Sequence, residues 1–509
     1  MQFTDTSTGG ATSWTWTFGT GAVSTQRHPV YTYQQPGTYT VSLTARNAGG
    51  ASVTSRSVVV TSPLPAKVVP VIANLPGIPP STWRSDMALA NPSDQPLPLE
   101  LKLTVSPSAV YTRVLTLQPR HSALFENVVS SLFQLSQGRG SLTVQPPPAG
   151  PYPVLTSRTY SAEPTGNLGQ SVPAVLPSPA GTYYLTGLRQ DDAYRSNIAV
   201  TAGAAQVTAT FALARGIDGE TVAGVSKSIP AGTQTQWTLP HLFPDQAQDG
   251  IPMTVAVALS HPGVPYASVV DQNSRDAITL LAQTPATEWL IPVAAHNPGK
   301  DGTFWQSDLS LANPGAQGAQ VSLSFLPENT DNSSGGIASP SFFLPAGATV
   351  TIEDVVRRVF TITNGKGSLR IAANRPVVVT SRVFTTAGGG TMGHAVPAIP
   401  PTAFSPSPRT LPGLRETNAY RTNIGLMSGS AGATVNLTLR GPAGNVITTR
   451  GFFVPPRSMR QLTFQQAFGA VAVPDPVGSV TVTATAPIAT YIVTVDGSSQ
   501  DPVFALIAP

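Results

Sequence analysis

Residues 97–105 alternate with a period of two. Leu97, Leu99, Leu101, Leu103 and Val105 fall at every second position, with Pro98, Glu100, Lys102 and Thr104 between them. Successive side chains of a strand point to opposite faces, so this stretch predicts a strand with one wholly apolar face. The pattern returns as Val207, Ala209, Phe211 and Leu213, then as Val321, Leu323 and Phe325, then as Val435, Leu437 and Leu439. A second predicted strand precedes each. Trp83-Arg84-Ser85-Asp86-Met87-Ala88-Leu89-Ala90-Asn91-Pro92 has counterparts beginning at Tyr194, Trp305 and Tyr420, spaced 111, 111 and 115 residues apart. A fixed period of that size is one small domain, so most of the chain is one module used four times.

Only one stretch per module carries helical spacing. Phe125, Val128, Val129 and Leu132 fall at i, i+3, i+4 and i+7, as do Ile352, Val355, Val356 and Val359. This predicts a helix of about two turns, too short to stand without packing on the strands. The modules alternate in type. The first and third share Thr156-Ser157-Arg158 with Thr380-Ser381-Arg382, and Gly169-Gln170-Ser171-Val172-Pro173-Ala174 with Gly393-His394-Ala395-Val396-Pro397-Ala398. The second and fourth share Leu188-Arg189 with Leu414-Arg415, and Val270-Asp271 with Val495-Asp496. A duplicated pair gives the order A-B-A-B.

Before the modules, residues 1–60 read as short strands broken by turns. Trp14, Trp16 and Phe18 share one strand face, and Tyr31-Thr32-Tyr33 and Tyr39-Thr40-Val41-Ser42-Leu43 alternate again. Phe3-Thr4-Asp5-Thr6-Ser7-Thr8-Gly9, Trp16-Thr17-Phe18-Gly19-Thr20-Gly21, His28-Pro29, Pro36-Gly37-Thr38-Tyr39-Thr40-Val41 and Asn47-Ala48-Gly49-Gly50 occur in that order. Together they resemble a polycystic-kidney-disease (PKD) domain. The resemblance implies an immunoglobulin-like β-sandwich of the kind found largely in secreted and surface proteins, often beside proteases, chitinases or further PKD copies. The family's usual Trp-Asp-Phe-Gly-Asp-Gly carries Thr17 and Thr20 here in place of both aspartates. Its first strand is missing, since Phe3 already belongs to the second, so an upstream continuation and an open sheet edge are expected. Self-association through that edge follows as an expectation.

The predicted architecture is therefore all-β. It is a tandem array of five β-sandwich domains, 1–62 PKD-like, then 66–177 (A), 178–288 (B), 289–403 (A) and 404–509 (B), the last four each with a short helix. Pro-rich linkers at 61–67, 177–180 and 399–408 favour a semi-stiff rod. The A-type pattern is loosely similar to Ig-like repeats of bacterial surface proteins.

Composition narrows the function. The 50 prolines and 45 glycines sit between short apolar runs, the punctuation of an all-β chain. Net charge is +4, from arginines scattered singly rather than in runs, so no nucleic-acid face is expected. No segment approaches 18 consecutive apolar residues, so membrane insertion is not expected. The absence of cysteine removes disulfides, thiolate metal sites and a Cys nucleophile together.

Asp86 is the most tempting chemical residue. Its counterparts are Asn197, Asp308 and Asn423, so the chain itself tolerates loss of the charge, which suits a short acceptor bonding to backbone better than an acid or a ligand. Arg84 becomes Arg195, Gln306 and Arg421. The aromatic before it (Trp83, Tyr194, Trp305, Tyr420) is expected to anchor a core. The six histidines lie at no metal-ligand spacing, and His394 stands where its sister module has Gln170. No nucleophile elbow or phosphate-cradling loop occurs. Asp271-Gln272-Asn273-Ser274-Arg275-Asp276 and Asp496-Gly497-Ser498-Ser499-Gln500-Asp501 place oxygen-bearing residues as a calcium loop does, yet lack its far glutamate. An Asx- and Ser-rich turn explains the same residues, and the choice stays open.

These observations point to a non-catalytic, secreted or surface rod for spacing, adhesion or protein–protein contact, with no catalytic residue, metal or cofactor and a protein or glycan ligand. Two alternatives stand beside it: the accessory region of a secreted hydrolase whose catalytic domain lies upstream, and a glycan-binding module using Trp14 or the variable loops.

Overall fold

The computed structural model describes residues 1–507 apart from 61–63, 78, 80, 149, 164–165, 245, 247–249, 388 and 477. It is all-β, and two compact units divide it: residues 1–65 with 146–150, and the remainder.

In the first unit, four antiparallel strands run in the order Val23–Ser24, Ser13–Thr17, Gly37–Asn47, Gly50–Val60. Trp16, Phe18, Val41 and Leu43 form its core, because their alternation puts all four on one face of the sheet. The facing layer is slight. Phe3 N–H donates to Pro29 O and Tyr31 N–H to the Met1 carbonyl, and Phe3 and Tyr31 pack down onto Phe18, the Tyr31 ring stacked at 4.2 Å.

In the second unit, residues 181–281 and 409–507 each build two four-stranded sheets. Residues 67–171 and 286–397 differ: their strands join into one continuous eight-stranded sheet folded on itself. In residues 286–397 the join runs through Gly365–Ala387, a single 23-residue strand whose first half pairs with Ala319–Pro327 and whose second half pairs with Phe304–Ala312. In residues 67–171 it runs through Lys67–Pro76, which pairs with both Gly138–Gln145 and Thr82–Ala90. In the leucine-alternating strand Leu97–Ser106, Leu97, Leu99, Leu101 and Leu103 are all buried while Glu100 and Lys102 face out.

Four α-helices occur among the described residues, Val128–Ser131, Leu239–Leu242, Val355–Phe360 and Phe464–Phe468. The first is shorter than its spacing predicts. Phe125 ends the preceding strand Ser122–Phe125, and Asn127 then adopts a left-handed conformation (φ 43°), as Asp354 does (φ 45°) before the third helix. Asn and Asp tolerate that region better than other side chains, so the chain breaks there and the helix starts late.

The modules do not form a rod. Three observations correct that expectation. The hydrophobic core of residues 67–171 takes in Ala199 and Tyr266 of the second module, so these two modules share one interior. Likewise the core of the third module contains Met427, Met459, Tyr491 and Phe504 of the fourth. The fourth module then returns to the first: Ser122 N–H donates to Pro442 O, and Arg415 pairs with Glu126 at 2.8 Å. Short linkers fix only neighbours in sequence, and it is the apolar faces left over on each sandwich that close the set into a block.

Candidate functional site at the module junctions

The two Asp-rich turns singled out in the sequence sit at equivalent junctions, the second module against the third and the fourth against the first. Asp271 Oδ1 accepts the backbone N–H groups of Asn273 and Ser274, which forms the turn. Its other oxygen reaches out of the module and accepts both the N–H and the hydroxyl of Thr391, each at 2.8 Å. Ser274 Oγ completes the clasp by donating to Thr391 O at 2.6 Å, and Asp276 Oδ2 accepts Gly393 N–H at 2.8 Å. At the sister junction Asp496 holds Ser498 and Ser499 with Oδ1 and the Asn167 amide side chain with Oδ2. Ser499 Oγ donates to Asn167 O, and Asp501 accepts Gly169 N–H at 2.7 Å.

The turns clasp hairpins, and glycine makes the approach possible. A Cβ on Gly390 would lie 2.6 Å from Ser274 N and 2.7 Å from Asp271 Oδ1; one on Gly166 would lie 2.5 Å from Ser499 N. The carboxylate oxygens of Asp271 and Asp496 are taken up by N–H and O–H donors, which present hydrogens rather than lone pairs, so both residues act as clasps. Among the described residues no group of three His, Asp or Glu is placed to hold a metal ion.

Asp86 and Asp308 belong to the same junctions. Asp86 Oδ1 accepts Asn127 N–H at 2.9 Å, the backbone acceptor role expected of it, and Asp308 Oδ1 accepts Asp354 N–H. Each Oδ2 also makes a buried ion pair that the sequence did not reveal, Arg158–Asp86 at 2.8 Å and Arg382–Asp308 at 3.1 Å. The guanidiniums lie against an aromatic ring of their own module, Tyr160 or Phe384, and a tyrosine of the docked module, Tyr420 or Tyr194. The shared Thr-Ser-Arg motif was the available signal. Burial opposes the charge of Arg158, but the Asp86 carboxylate outweighs it and the guanidinium is held protonated.

Tyr194 and Tyr420 are buried and bridge modules, Tyr194 while belonging to its own module's core: the Tyr420 hydroxyl meets Arg158 and Asn167, and that of Tyr194 meets Arg382 and Thr391. Trp83 departs from expectation, whereas Trp305 packs against the edge of the third module's core. Both are half-buried, lying over Gly77 and Gly299 at hairpin turns, where an added Cβ would collide with the indole.

Asp276 and Asp501 are both buried. Burial raises the carboxyl pKa of each, and for Asp501 the charge of Asp276 adds to it. A sequence difference separates the pair. Asp276 Oδ1 accepts Ala277 N–H, whereas Pro502 follows Asp501 and has no N–H, so Asp501 Oδ1 is without a hydrogen-bond partner among the described residues. By contrast, burial also opposes ionisation of Asp271, but the N–H groups of Ser274, Thr391 and Asn273 outweigh it and its pKa is lowered. His394, stacked on Phe504 at 5.1 Å, is pushed by burial down to about 4 and stays neutral.

In the first unit, Asp5 is the one carboxylate of residues 1–62. Its Oδ1 accepts Ser7 N–H, and its Oδ2 accepts Trp14 Nε1–H at 2.8 Å and pairs with Arg27. Arg27 in turn covers the Trp14 ring. Residues 1–62 match the family model of the PKD domain. Within this PKD domain, Thr20 Oγ1 meets the Tyr31 hydroxyl at 2.7 Å and Thr17 is exposed, so neither supplies the charge of the aspartate usual there. Trp14 is half-buried and clamped rather than offered as a flat platform.

No curated protein matches the chain. Among solved structures, it is similar at 12% identity to a carbohydrate-binding module of the β-sandwich superfamily, covering 54% of this chain and 86% of that one with a TM-score of 0.14. A Bacteroides ovatus mixed-linkage glucan utilization protein, SGBP-B, solved with a heptasaccharide, is 12% identical over 75% of this chain and 91% of its own, with a TM-score of 0.14. The tetra-tandem repeat from the extending region of a large adhesion protein is 13% identical over 86% and 98%, with a TM-score of 0.11. Scores this low do not establish a common arrangement of modules.

Proposed function

We propose that this chain is a non-catalytic binding and presenting protein of the cell exterior, in which a PKD domain is joined to a self-locked block of four β-sandwich modules with the limits 66–177, 178–288, 289–403 and 404–509. One observation carries it. The carboxylates best placed for chemistry, Asp86, Asp271, Asp308 and Asp496, are all engaged in holding backbone or another module. Side chains so engaged are poor acids, bases or nucleophiles, because proton transfer needs a group free to reach a substrate. They are well suited to fixing loops at constant separation, which lowers the entropic cost of binding an extended surface.

The block supports presentation of a fixed surface in place of the spacing role expected of a rod. Its ligand is a protein or glycan surface. Probing glycan and matrix-protein arrays with the whole chain tests this: saturable capture without turnover is expected. Hydrolysis of a peptide or glycoside panel by the purified chain, abolished by a substitution within the block, would overturn it.

A further inference from the structure

The junction of the second and third modules holds a groove of about 680 Å³ that the clasps do not fill. Arg189, Arg357, Arg358 and Arg382 line it, with Asp308, Glu353 and Asp354 as its acidic residues, and Asp354 Oδ1 is taken up by His296 Nδ1 at 2.9 Å. Asp308 neutralises Arg382 at 3.1 Å, and Glu353 pairs with Arg358 at 3.1 Å. Arg189 lies 3.8 Å over the Tyr194 ring, a contact that fixes its guanidinium plane. Among the described residues, neither Arg189 nor Arg357 is paired with a carboxylate.

The duplicated scaffold supplies an internal control. At the sister junction Arg415 lies over Tyr420 in the same way, but Glu126 and Asp475 pair with it at 2.8 and 3.3 Å. Ser130 and Ser131 stand on the helix where the third module has Arg357 and Arg358, while Arg84 stands where it has Gln306. One copy is tied by ion pairs; the other adds two guanidiniums around one that has no carboxylate partner among the described residues. Folding does not require that difference, since the sister junction forms without it.

We propose that this groove binds a ligand carrying two or more oxyanion groups, received by Arg189 and Arg357, with Arg358 drawn from Glu353 as the ligand enters. The planar fork of arginine matches carboxylate and phosphoryl or sulfuryl oxygens in pairs, which a lone solvated charge does not. The volume lies within the range of ordinary ligand pockets and exceeds the needs of a single small ion. This inference stands independently of the presenting role above.

The test titrates the full chain calorimetrically with citrate and, separately, with tripolyphosphate, at low and at high salt. Saturable binding to at least one is expected, weaker at high salt, because exposed charges are screened. Binding of citrate alone assigns a carboxylate ligand, and of tripolyphosphate alone a phosphoryl- or sulfuryl-type one. Arg357→Ser with Arg358→Ser restores the sister module's residues at exposed positions and should weaken binding about tenfold or more without changing the melting curve. Arg189→Gln should act in the same direction, and Arg84→Ser at the sister junction should not. Absence of saturable binding by both polyanions at low salt would overturn the proposal, as would affinity that survives the double serine variant.

Discussion

Asp271 and Thr391, 120 residues apart in sequence, meet through a single carboxylate oxygen that accepts both the backbone N–H and the side-chain hydroxyl of the threonine. Asp496 and Asn167, 329 residues apart, repeat the arrangement through the Asn167 amide side chain. The block is held by two copies of one clasp.

Removing a clasp should therefore be felt beyond one module. Asp271→Ala leaves Thr391 N–H and its hydroxyl without their acceptor, and is expected to cost about 2–4 kcal/mol, the scale of two hydrogen bonds to a charged group. Because neighbouring modules share cores, residues 66–507 should unfold in one transition during denaturant titration. Separate transitions for each module would contradict the shared interior.

Gly390→Ala should destabilise the junction of the second and third modules by about 1–3 kcal/mol, the usual cost of forcing extra volume into a packed site. The added Cβ meets backbone at Ser274, which cannot swing away as a side-chain tip would. Gly315, whose added Cβ meets only Asn313 Oδ1 within 3.4 Å, is the comparison, and its alanine variant should melt closer to the parent.

The Asp276 and Asp501 carboxyls predict a pH dependence. Their folded pKa values are raised above the unfolded value, so the folded state holds more protons than the unfolded one across that interval. Stability contributed by these groups is present below the unfolded carboxylate pKa and falls as pH rises through the raised values. Arg382 and Arg158 soften the effect, and Asp271 and Asp496 reinforce it. The melting temperature of the block should be higher in mild acid than in mild alkali, and Asp501→Asn should flatten the profile. An unchanged slope in that variant would place the dependence elsewhere.

Trp83→Ala should cost about 1–2 kcal/mol, within the range of ordinary single substitutions and below the cost of emptying a core aromatic site. The indole covers a hairpin glycine rather than filling the sandwich. Equilibrium denaturation of the variant measures this directly.

Period-two alternation in Leu97–Ser106 and its three counterparts, the recurrence of the strand before it, and the A-B-A-B order were all legible in the sequence, because each depends on side chains a few residues apart. So were the turns at Asp271 and Asp496, whose Asx geometry is local. Their second role was not. Nothing near Asp271 specifies Thr391, and the oxygen that reaches it looks the same in sequence as one facing water. Arg158 and Arg382 appeared only as a repeated motif, since a buried guanidinium is recognised by the carboxylate and rings that surround it. The rod failed for the same reason: proline-rich linkers govern how one module follows the next, while closure depends on apolar faces and clasps contributed by modules far apart in the chain. Sequence set what each module is, through short-range periodicity; how the modules dock was decided by surfaces that exist only once each sandwich has folded.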